Sequence, residues 1–167
     1  MPDEEWEIRL ADLWAGIDEH PDDEFIGLMD GLTAELPPDD GVGPFERAAS
    51  RDSTGHSDLA VPLYREALEL PLPGERRRRA VIQLASSLRN LGRAGESVAL
   101  LEAELRQRSD HLDDAVRGFL ALALADTGRE REGLCHALVA LAAHLPRYQR
   151  SLANYAHQLL EASPAAE

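Results

Sequence analysis

The stretch AVIQLASSLRNLGRAGESVALLEAEL, residues 80–105, decides the fold. Two apolar runs with helical spacing flank Gly92, which sits in a short polar turn. The same layout surrounds Gly55, 37 residues earlier, and Gly128, 36 residues later. Seven positions before each glycine lies Ala48, Ala85 or Ala121, and five positions after it lies Ala60, Ser97 or Gly133. The next residue is Val61, Val98 or Leu134, and seven further on sit Leu68, Leu105 and Leu141. A register held in three copies at a fixed period marks a repeat architecture. Its physical logic is direct. The glycine ends the first helix of a pair, where a left-handed conformation costs it little. Small residues at two facing positions let the paired helices approach closely. The repeated leucine plugs the space between one pair and the next, because a single pair cannot bury its apolar face alone.

This layout resembles the tetratricopeptide repeat family, whose unit is a helix–turn–helix of about 34 residues. The clearest matches are residues 80–105, 119–146 and 57–73, and the resemblance covers roughly residues 43–146. Within the family the chain is similar to small bacterial proteins with a long N-terminal lead and an Arg-rich start to the second repeat. It departs from the pattern in three ways. The period is two or three residues longer, the bulky aromatic of the first helix is missing, and Arg47 and Arg51 stand in repeat one where the later repeats carry leucines.

The register extends at both ends. Leu32 lies 36 residues before Leu68, Phe25 lies 36 before Val61, and Pro37, Pro73 and Pro146 each close a second helix at one phase. Residues 4–36 therefore read as a helix pair that is either a degenerate repeat or a separate lead. Its first helix carries Trp6, Leu10, Leu13, Trp14 and Ile17 on one stripe. Its second begins at Pro21 and has Asp22, Asp23 and Glu24 where the helix dipole favours acids. After Pro146, Leu152, Tyr155, Ala156, Leu159 and Leu160 form the stripe of a capping helix. The expected fold is all-α, a solenoid of about three repeats with an N-terminal helix pair and a C-terminal cap. Residues 1–40 form the pair, 41–161 the repeats, and 162–167 a frayed tail. Pro37–Gly43, rich in Pro, Asp and Gly, reads as a flexible joint.

Composition narrows the function. With 167 residues, 44% of them hydrophobic and 5% aromatic, the chain has enough for one domain whose core rests on Leu, Ala and Val. One cysteine excludes an internal disulfide and a cysteine-based zinc cage. No apolar run reaches the roughly 18 residues of a membrane span, and the acidic start is wrong for a secretory signal. The expectation is a soluble, cytoplasmic protein. Of the net charge of −14, all falls on residues 1–46, which hold fifteen acids and one base, Arg9. That field repels nucleic acid and anionic lipid. The acidic arm is either a solubilising terminus or a steering field for basic partners. All seventeen bases are arginine, a pattern that fits GC-rich codon usage.

Catalytic patterns are absent: no phosphate loop, no Gly-x-Ser-x-Gly turn and no calcium-loop spacing of carboxylates. His136 and His144 lie about 12 Å apart along a helix, too far to share a metal ion. His136 takes the slot of Leu63 and Leu100 and reads as a packed histidine. Cys135 reads as a small core residue with no base placed beside it. The run Arg76–Arg79 opens a helix against its dipole. It is read as charge scattered to solvent, with the acidic arm as the other available partner. No enzyme, cofactor or metal site is expected.

The resemblance implies a concave groove lined by first helices. On repeat two its positions fall on Arg79, Ile82, Gln83, Ser86, Arg89 and Asn90, and on repeat three on Ala115, Gly118, Leu122, Ala125 and Asp126. A basic, polar groove with an apolar end implies an acidic or C-terminal peptide as ligand. The expected function is a non-catalytic protein–protein interaction adaptor. The alternative is a homo-oligomerising scaffold, such as a homodimer, whose acidic arm regulates access to the groove.

Overall fold

The computed structural model describes residues 2–107 and 109–161; the tail predicted at 162–167 lies outside them. Among the described residues the chain is all-α, with no strand. The elements are α1 (Glu4–Ala15), a single 3-10 turn (Ile17–Glu19), α2 (Asp22–Thr33), α3 (Val42–Ser53), α4 (Ser57–Glu69), α5 (Glu75–Asn90), α6 (Ala94–Leu105), α7 (Asp113–Asp126), α8 (Glu130–His144) and α9 (Gln149–Glu161). No helix among the described residues is long and apolar enough to cross a membrane. Gly55, Gly92 and Gly128 all take left-handed φ, 84°, 74° and 77°, at the turns the register assigns to them.

The chain divides into two compact units, Met1–Ser87 and Leu88–Glu167, with the division inside α5. Each has its own buried set, whereas composition alone predicts one core. A stack of repeats is held by nearest-neighbour interfaces, so its core is naturally a series.

In the first unit α1 packs on α2, α2 on α3, and α3 on α4. Trp6, Leu10, Phe25, Met29, Phe45, Ala48, Ala60 and Tyr64 form its interior. The acids of the arm have structural work at the helix starts. Asp3 caps α1 by accepting the Trp6 amide at 2.9 Å, and Asp22, Asp23 and Glu24 fill the first turn of α2. Arg47 and Arg51, the two departures from the leucine pattern, both reach Asp30 on α2, at 3.2 and 2.8 Å. An ion cluster thus replaces an apolar seam. Burial works against the Asp30 carboxylate, but the two arginines outweigh it and hold its pKa below the ordinary value. The connection at 37–43 is exposed at residues 37–39 and packed from Asp40 onward. The Gly41 amide donates to the Pro71 carbonyl at 3.0 Å, and a Cβ at Gly41 would lie 2.9 Å from the carbonyl oxygens of Ala67 and Pro71.

In the second unit α6 packs on α7, α7 on α8, and α8 on α9. Leu101, Val116, Leu120, Ala123, Leu124 and Ala156 are fully buried. The close approach predicted for small residues is most acute at Gly133, where a Cβ would lie 2.7 Å from the Ala121 carbonyl oxygen. Of the repeated leucines in this unit Leu105 is half-buried, whereas Leu141 plugs no space and is 49% exposed, as is Leu134 at 50%. The stripe predicted for α9 is likewise split. Ala156 is buried and Leu152 and Leu159 are half-buried, whereas Tyr155 and Leu160 face outward. Among the described residues no helix follows α9 to cover them.

Candidate functional site

The arginine run at the start of α5 is scattered to solvent only in part: Arg77 and Arg79 are exposed, whereas Arg76 is half-buried and Arg78 buried. Arg76 donates from Nε to Glu46 at 3.0 Å and from its two terminal nitrogens to Glu7 at 2.9 and 2.6 Å. Glu46 is only 2% exposed and also accepts the Trp14 indole N–H at 3.0 Å. One guanidinium therefore joins α1, α3 and α5, and these carboxylates offset the cost of positive charge at a helix start. Burial pushes the Glu46 pKa up, against the pull of Trp14 and Arg76. For Arg76, burial favours the neutral form, but Glu7 and Glu46 outweigh it and its pKa is raised. Arg78 is buried, while Arg79 is exposed and lies 5.4 Å over the ring of buried Phe45.

Of the predicted groove residues, Arg79, Ile82, Gln83 and Ser86 lie in the first unit, and Arg89, Asn90 and Leu122 in the second. Ile82 is buried and belongs to the packed interior. Gln83 and Ser86 are half-buried, and the Gln83 Oε1 is enclosed without a hydrogen-bond partner among the described residues. Next along the helix, Ser87 donates to Asp52 of α3 at 2.7 Å. In the second unit Arg89 is balanced by Asp126, with Nε 2.6 Å from the carboxylate. Asn90 is exposed, and Leu122, one turn before Asp126, is 48% exposed. Sequence reasoning assigned Arg89 to a ligand and missed Asp126 as its partner. The repeat register held the signal, because Asp126 occupies the phase of Asn90 one repeat later.

Two titratable groups of α8, Cys135 and His136, are enclosed wholly or in part. His136 is half-buried with Arg117 at 3.4 Å, and burial followed by the Arg117 charge lowers its pKa. Cys135 is buried as expected, yet His157 Nδ1 does stand 3.9 Å from its sulfur. Burial raises the thiol pKa, which opposes nucleophile formation. Among the described residues no cluster of His, Cys, Asp and Glu could hold a metal ion.

Two open clefts border Pro37 in the first unit. One, of about 510 Å³, is lined by Pro37, Asp39, Asp40, Pro71, Leu72 and Pro73. The other, of about 380 Å³, includes Thr33, Leu36, Pro44 and Glu66 in its lining.

Comparison with known proteins agrees with the repeat register. A family model described as "Tetratrico peptide repeat" matches residues 41–159. No curated protein matches the chain. The solved structure of MamA MSR-1 C2 is similar with a TM-score of 0.60 and 21% identity, over 94% of this chain and 81% of that one. At such identity the likeness bears on the fold alone. With the family model spanning most of the sequence and left-handed glycines at three matching turns, the chain belongs to the tetratricopeptide repeat family.

Proposed function

We propose that this protein is a non-catalytic adaptor that holds an acidic or C-terminal segment of another protein against the exposed face of α5, with Arg79 as its cationic contact. Tetratricopeptide repeats mediate protein–protein interaction, and that general role is carried over here. The observation that carries the finer reading is Gln83. Its side-chain oxygen is enclosed and unpaired, one helical turn from the exposed Arg79 guanidinium. A buried acceptor without a donor costs roughly 1–3 kcal/mol, which a ligand backbone N–H would recover once the side chain turns outward to meet it. In the second unit, taken by itself, Arg89 is already paired with Asp126 and Leu122 is exposed.

The test is a pull-down with wild type beside Arg79→Glu and Gln83→Leu. A protein held by the wild type and lost by both variants supports the α5 face. The same partners on all three baits would overturn it.

The second reading is a homo-oligomer whose acidic arm regulates access. Exposure of Leu134, Leu141, Tyr155 and Leu160 in the second unit favours it. A monomeric mass by light scattering at tens of micromolar would remove it. The regulatory half predicts tighter ligand binding once the arm is deleted. Because Arg76 already holds Glu7, deletion is expected to cost stability as well.

A further inference from the structure

We propose that the proline-walled cleft of the first unit receives the arginine or lysine side chain of a basic, extended segment from a partner protein. The cleft lies between the connection after α2 and the segment after α4, walled by Pro37, Pro71, Leu72 and Pro73 with Asp39 and Asp40 at its edge. Its walls are set before any ligand arrives. Three proline rings fix their own φ. Gly41 ties the two segments through the Pro71 carbonyl, and Asp40 is anchored by accepting the Val42 amide at 2.9 Å. A preformed cleft avoids the ordering cost that weakens binding to mobile loops.

The apolar walls and the acidic edge together select the occupant. An aliphatic stem lies well against proline and leucine, while its charged head needs a carboxylate in water, and a long basic side chain offers both. Asp39 is exposed and pairs with no described residue, so it is available. The surrounding charge has the same sign. Residues 1–46 carry a net −14, and Arg9, Arg47, Arg51 and Arg76 are paired with some of the arm's carboxylates. An acidic peptide or a phosphate would be repelled from this place. The neighbouring cleft shares Pro37 and carries Glu66, likewise exposed and unpaired, beside an Arg47 that is already paired with Asp30. Alternate side chains of an extended strand point the same way, so a second basic residue two positions along would meet it.

This surface differs from the α5 face in residues and in ligand charge, and stands independently of it. The test uses the full chain and a fluorescein-labelled eight-residue peptide with arginine at alternate positions, read by fluorescence anisotropy at low salt. Asp39→Lys is expected to weaken binding about fivefold or more. Asp12→Lys, which makes the same change of net charge at an exposed site on α1, is expected to weaken it less than about twofold. A second measurement needs no variant: in methyl-labelled wild type the peptide should shift the Leu72 methyl resonances and leave those of Ile82 in place. Equal weakening by the two variants would overturn the proposal, as would a bound peptide that leaves Leu72 unmoved. So would the absence of binding at about 1 mM.

Discussion

Helices α3 and α7 occupy the same phase of the repeat, yet they are fixed in their units by different physics. On α7 the inward positions are Leu120 and Leu124, both fully buried, and the paired α8 approaches so closely that only glycine fits at position 133. On α3 the same positions are Arg47 and Arg51, which pair with Asp30, and one position before Arg47 lies the buried Glu46 with its Arg76. A repeat register therefore specifies where helices meet but not the chemistry of the seam. A leucine seam is tolerant of small shifts and works with any apolar neighbour. An ionic seam demands one neighbour with its carboxylate in place, so repeat one depends on the acidic arm in a way repeat three does not.

The largest break in this comparison is expected from Arg76→Ala, which strips the guanidinium from buried Glu46 and leaves it the Trp14 indole N–H. Stranding a buried charge costs about 3–5 kcal/mol, to be read by urea denaturation. Gly133→Ala comes next. It installs the residue found at that phase in repeat one, but the new Cβ must displace the Ala121 carbonyl. Overpacking of this kind costs roughly 1–3 kcal/mol, and a melting temperature equal to wild type would show that the α7–α8 contact can relax.

Asp30→Asn is smaller, about 1–2 kcal/mol at neutral pH after allowing for its partial exposure. Its pKa is depressed in the folded state, so its contribution is present above its ordinary pKa of 3.8 and disappears as pH falls through the folded value. The gap between wild type and variant should accordingly shrink toward pH 3. Smallest is His136, whose folded pKa lies below its ordinary 6.5. The unfolded chain binds its proton more readily, so stability falls as pH drops below about 6.5. His136→Leu should remove that sag, worth less than about 1 kcal/mol, in thermal melts between pH 7 and 5.

The parts of this architecture that repeat are legible in the residues. The turn glycines, the small residues at the close approach and the two helices ahead of the repeats all follow from spacing, because each depends on neighbours a few positions away. The partners of Arg76 do not. Glu7 and Glu46 lie 69 and 30 residues off, and nothing local distinguishes the acid that will meet a given arginine from the fourteen others in the arm. For the same reason periodicity found the stripe of α9 but not which part of it is covered. The α5 face was legible as positions. Its electrostatics were not, since the availability of Arg89 turns on Asp126 in the next repeat.

The hub at Arg76 also has a consequence in time. A ribosome adds roughly 5–20 residues per second, so Arg76 follows Glu7 by a delay on the order of several seconds. During synthesis Trp14 and Glu46 can meet, but the guanidinium that clasps α1 to α3 does not yet exist. The N-terminal third of the nascent chain must wait, still free to let go, until the opening of the second repeat is made and locks it down.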